Sequence, residues 1–141
     1  MMIEEDLSTR PDEADPLVLY LVVPKGLDMS PGKVAAQCGH AVQAMVLGYT
    51  ELLQRASAGE ALTADERTRL EDARAWITGL YRKVVLAADP TSWDTIKADL
   101  DGFLVKDVGF NEVARGAETA IALWPMRKSA RPRVVRRLHP F

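Results

Sequence analysis

The chain has 141 residues and a mass of 15.5 kDa, with 48% apolar and 27% charged residues, which fits one globular domain. No apolar run approaches the ~20 residues of a membrane span, and no signal-peptide pattern opens the chain. The single cysteine, Cys38, can form neither an internal disulfide nor a zinc cluster, so a reducing, cytoplasmic setting is expected. The formal net charge of −2 hides an asymmetry. Residues 1–15 hold six acids (Glu4, Glu5, Asp6, Asp12, Glu13, Asp15) against Arg10, while residues 126–141 hold six bases (Arg127, Lys128, Arg131, Arg133, Arg136, Arg137) and no acid. A basic end of this kind suits a polyanionic partner; it also fits a solvated tail balanced by an acidic one.

In chain order, residues 1–15 lack apolar periodicity and read as a flexible acidic leader, with the folded domain over 16–141. Residues 16–23 (PLVLYLVV) form a continuous apolar run, too short for a helix, and predict a strand buried on both faces. A loop follows over 24–30. Ser30 and Pro31 are a helix start, since serine caps free backbone N–H groups and proline suits the first helical position. The helix is expected over 31–55, with Val34, Cys38, Ala41, Val42, Met45, Tyr49 and Leu52 as its core stripe. Lys33, Gln37 and His40, at i, i+4 and i+7, share a second face near its start.

Residues 56–62 read as a linker. Thr63 and Glu66 form a capping box for a second helix to about Thr78, stopped by Gly79. Residues 83–87 (KVVLA) predict a second strand. Asp89 and Pro90 start a third helix, expected to end at Gly102; short strands follow at 103–106 and 119–124, joined by a polar loop over 107–116. Val134, Val135 and Leu138 give the basic tail enough apolar character to dock a last turn. The pattern predicts an α/β fold: a three-layer α/β/α arrangement around a four-stranded mixed sheet.

Ligands in open α/β sheets bind beyond the carboxyl ends of parallel strands. That rule selects the loops at 24–33 and 107–116, and expects Lys33, His40 and Asp107 in one cleft. Lysine supplies fixed charge, histidine can exchange a proton near neutral pH, and aspartate can accept one or hold a water. Each residue also has a plain structural reading: a solvated lysine, a hydrogen-bonded histidine beside the core, an aspartate in a turn. Cys38 lies on the core stripe and reads as packing. No phosphate-binding glycine loop, dinucleotide fingerprint or nucleophile elbow is present.

Residues 29–41, MSPGKVAAQCGHA, resemble the signature of the type II peptidyl-tRNA hydrolases, close to M-x-x-G-K-x-A-A-Q-x-x-H-A. Trp76, Gly79 and the strand from Lys83 resemble that family's W-x-x-G-x-x-K-V-V segment. Asp107-Val108-Gly109 stands at its D-A-G, residues 116–125 at its G-x-x-T-x-L-x-I-G-P, and residues 134–138 at its V-x-x-x-L ending. The resemblance spans about residues 17–141. It implies hydrolysis of the ester between a peptide and tRNA, no metal or organic cofactor, a mixed four-stranded sheet, and often a homodimer. It further implies catalytic roles for Lys33, His40 and Asp107. After D-A-G the family continues x-T-x; here Phe110-Asn111-Glu112 follows, so Asn111 stands where a threonine is expected, and Glu112 adds negative charge. The 56–75 segment is longer than in the family, and the stretch before Asp107 shorter. Gln37, Lys83, Arg115, Arg127, Lys128 and Arg131 are candidates for tRNA contact, and Trp124 for base stacking or, more plainly, for packing on the sheet. A repurposed or catalytically idle member of the fold, binding RNA or a protein, is the alternative.

Overall fold

The computed structural model describes residue 1 and residues 14–141; the expected leader falls almost wholly outside the described residues. The apolar run becomes β1 (Leu17–Pro24), and its six interior residues are all buried. It occupies the centre of the sheet because alternate residues meet apolar partners on both faces. Leu19, Leu21 and Val23 pack against Val34, Cys38, Ala41, Met45 and Trp76. Val18, Tyr20 and Val22 pack against Trp93, Ile96 and Val135. The first set belongs to α1 (Pro31–Ser57) and α2 (Ala64–Ile77), the second to α3 (Pro90–Asp99) and α4 (Arg133–Arg136). These are the two outer layers of an α/β/α fold.

Helices begin where local chemistry starts them. Ser30 caps α1 by accepting from the Lys33 N–H, Thr63 and Glu66 close the capping box of α2, and Asp89 caps α3. Ends are less local. The first helix runs on to Ser57, and the third stops at Asp99, three residues before Gly102, because Leu100 turns to extended geometry and packs into the core. Gly48 lets α1 lie close on the sheet, since a Cβ there would sit 2.5 Å from the Phe103 ring.

The remaining strands are β2 (Lys83–Ala88), β3 (Gly102–Lys106), β4 (Glu118–Leu123), β5 (Met126–Arg127) and β6 (His139–Pro140). Their order is β3-β4-β1-β2-β6, with β5 pairing β1. The α1–α2 crossover sets β2 parallel to β1, as βαβ units require, and β4 runs antiparallel to both β1 and β3. The sheet thus has six strands where four were expected. The two extra strands come from the tail. β5 continues the β4 side of β1 after a one-residue register shift, and β6 covers the open edge of β2. Both are two residues long, too short to give a periodic signal in sequence. Among the described residues, no helix is long and apolar enough to cross a membrane.

Candidate active site

β1 and β3 point the same way, so the loop after β1 and the loop after β3 open at one end of the sheet although β4 separates the strands. There the start of α1 meets residues 107–117. Lys33 Nζ donates to Asp107 Oδ1 at 2.8 Å and to Asn111 Oδ1 at 3.0 Å. Gln37, one turn further along α1, donates from Nε2 to the same Asp107 oxygen at 3.1 Å. Its Oε1 accepts from the buried Thr119 hydroxyl of β4 at 2.5 Å. These bonds fix the Gln37 amide: nitrogen towards the carboxylate, oxygen towards the hydroxyl. The Lys33 and Asp107 side chains are only 12% and 7% exposed, so the pair is shielded from bulk water.

The loop itself is braced. The Asp107 Oδ2 accepts from the Gly109 N–H at 2.8 Å. Gly109 has φ +79°, and a Cβ there would lie 2.5 Å from the Arg115 backbone, so glycine is required by both conformation and space. Glu112, with φ 55°, accepts from the Ser30 N–H at 2.9 Å and from the Ser30 hydroxyl at 2.8 Å. The helix cap is therefore also the loop's anchor. The negative charge of Glu112 is engaged on the Ser30 cap of α1.

Electrostatics follow from this geometry. The Lys33 ammonium, then the Gly109 N–H, hold the Asp107 carboxyl below its ordinary pKa against the opposing effect of burial. The Ser30 N–H and hydroxyl do the same for Glu112. Burial pushes the Cys38 thiol up, which fits a packing residue of the α1 stripe. Among the described residues, no group of three or more His, Cys, Asp or Glu is arranged to hold a metal ion.

The other expected site residues separate into groups. His40 lies on α1 about 10 Å along the axis from Lys33 at the helical rise. It is exposed, and no hydrogen bond joins it to Asp107 among the described residues. The hydrogen-bonded cluster therefore joins Lys33, Gln37, Asp107 and Asn111, not His40. Arg115 is exposed on the same loop. Lys83, Arg127, Lys128 and Arg131 lie at the opposite end of the sheet: Lys83 pairs with Leu19 and Arg127 with Leu17 at the start of β1. Eight residues of strand put that end roughly 23 Å from the site end. Lys83 Nζ stands 4.9 Å from the Trp76 ring and donates to the Tyr81 carbonyl, so it braces packing there. Trp124 packs edge-on against Phe103 at 5.2 Å, the packing role. Sequence patterning places Thr119 in a strand and gives it no part in the site. Its one signal is its position as the threonine of G-x-x-T, three residues after Gly116. That the hydroxyl is buried against Gln37 follows from strand pairing.

A family model described as peptidyl-tRNA hydrolase PTH2 matches residues 17–141. No curated protein matches the chain.

Proposed function

The chain belongs to the peptidyl-tRNA hydrolase PTH2 family, and from that premise we propose that it hydrolyses the ester joining a peptide to the 3′ end of tRNA. The observation that carries the reading is the shielded Lys33–Asp107 pair at the carboxyl end of β1 and β3, held by Gln37 and faced by the Asn111 amide.

The reaction adds water across the acyl C–O bond. Water attacks the carbonyl carbon, the tetrahedral intermediate collapses, and the products are the peptide carboxylate, the ribose 3′-hydroxyl and one proton. The protein's task is to stabilise the oxyanion. A preorganised ammonium in a shielded site does this at little reorganisation cost, and Lys33 is that group. Asp107 accepts three hydrogen bonds, from Lys33, Gln37 and Gly109, of roughly four its carboxylate can take. Its pKa is lowered. A carboxylate so occupied is a weak base. Its role is to fix Lys33 and orient water with its remaining lone pair, rather than to remove a proton outright. Asn111 accepts from Lys33 through Oδ1, and its Nδ2 has no partner among the described residues, leaving that N–H to donate to the substrate. Arg127, Lys128 and Arg131 are assigned to phosphates of the tRNA body, away from the ester.

The test is hydrolysis of a peptidyl-tRNA mimic, with Lys33→Ala beside the wild type. Release of free tRNA that falls at least a hundredfold in the variant supports the reading. One observation favours a second reading, a fold that binds RNA or protein without hydrolysis: Asn111 supplies no hydroxyl where the family has threonine. Binding of tRNA with no release by the wild type selects it.

A further inference from the structure

The loop that carries Asp107 and Asn111 also carries two apolar side chains turned to water. Phe110 is 91% exposed and Val108 56%. Single exposed apolar residues are common and by themselves mean little. These two differ in their support. On one side of Phe110, Gly109 is locked by its positive φ, by the crowding of the Arg115 backbone and by its bond to Asp107. On the other side, Asn111 is held by Lys33 and Glu112 by Ser30. The residues flanking the ring are anchored, so the ring is presented from a fixed backbone, one residue from the amide that touches Lys33.

We propose that Phe110, with Val108 beside it, is a stacking platform for the nucleobase adjoining the scissile ester, so that this loop selects esters of a nucleoside over esters of simple alcohols. The inference rests on the hydrolase reading above. A ribose ester brings its base within a few ångströms of its carbonyl, the same reach that separates Phe110 from Asn111. A flat ring exposed over nine tenths of its surface suits another flat π-face. An aliphatic peptide side chain would gain more from a concave pocket than from an open ring. Exposed Arg115 and Lys106, at the two ends of the same loop, offer cationic partners to the phosphodiester that precedes the terminal nucleoside.

The experiment compares an adenosine ester with an ethyl ester of the same N-acetyl-aminoacyl group, in two series that differ in the acyl side chain. Phe110→Ala has almost no packing to lose, so the folded protein is retained. The expected result is a fall of about tenfold to a hundredfold in the ratio of kcat/KM for the adenosine ester to that for the ethyl ester. Phe110→Trp should restore the ratio, and Phe110→Leu should not. An unchanged ratio overturns the proposal. So does an effect that follows the acyl side chain rather than the alcohol, which would assign the ring to the peptide. Calorimetric binding of a non-hydrolysable amide, 3′-acylamino-3′-deoxyadenosine, separates this proposal from the reading beneath it. If the wild type cleaves neither ester but binds the amide in a Phe110-dependent way, the hydrolase reading fails and the platform stands. If the esters are cleaved and binding of the amide ignores Phe110, the platform fails and the hydrolase reading stands.

Discussion

The two ends of β1 use charge in opposite ways. At the carboxyl end, one lysine and one aspartate are shielded, and both are bonded to residues from distant parts of the chain. At the amino end, Arg127 pairs with Leu17 and is followed by Lys128, and both cations are exposed. Each end is fastened by the same device, a carboxylate gripping the N–H and hydroxyl of one serine. Glu112 holds Ser30 at the site end, and Asp15 holds Ser129 at the tail end. The fastening is therefore not what separates them. Burial is. A cation surrounded by water is screened within about 10 Å and acts on a polyanion as diffuse charge. The same cation removed from water acts on a single developing oxyanion. Counting bases points to the tail; geometry points to Lys33.

That contrast can be broken by experiment. The largest effect belongs to Asp107→Asn, which removes the charge that fixes Lys33. It should lower kcat on a peptidyl-tRNA ester by about a hundredfold or more while changing tRNA affinity little. An equal loss of kcat on reversing the tail charges would erase the distinction between the ends. Next comes Asn111→Thr. If the hydroxyl expected at this position matters, the rate should rise by up to about a hundredfold with KM nearly constant; an unchanged rate shows the amide to be sufficient.

Charge reversal at Arg127, Lys128 and Arg131 should act on binding alone. For every tRNA phosphate that these side chains no longer neutralise, the logarithmic salt dependence of affinity should flatten by about 0.7–0.9, with kcat unaltered. An unchanged slope would remove the tail from the RNA surface. Thr119→Val leaves the buried Gln37 Oε1 without its donor and should cost about 1–3 kcal/mol in denaturant unfolding, besides loosening Asp107. A fully stable, fully active Thr119→Val would show that Gln37 needs no support from β4.

The smallest effect is on pH. The pKa values of Asp107 and Glu112 are lowered in the fold, so their contributions are complete above the ordinary values of 3.8 and 4.5 and are lost as pH falls through the lowered ones. The Ser30 and Gly109 amide resonances should hold steady from neutral pH to about pH 5 and move only in stronger acid. Movement near neutrality would place another titrating group in the loop's attachment.

Sequence alone determined the four main strands, the starts of the three long helices and the burial of the central strand. The run at residues 16–23 is apolar at successive positions, so it must be covered on both faces, and it lies at the sheet's centre. Ser30, Thr63 and Asp89 start helices because their side chains satisfy backbone N–H groups only two or three residues away. Such signals are local, so a single chain reveals them. The residues of the family signature were legible too, through Lys33, Gln37 and Asp107.

Tertiary structure alone decided which of these residues meet. Placing β4 between β1 and β3 carries the Thr119 hydroxyl under Gln37 and turns Glu112 onto Ser30, pairings across 82 residues that no spacing encodes. The same topology sends Lys83 and Arg127 to the far end of β1 and leaves His40 in water. The tail's two short strands follow the same logic, because a two-residue strand is defined by the edge it pairs with. A residue's type fixes what chemistry it can offer; only the packing of distant segments fixes which partner receives it and how far water is kept away.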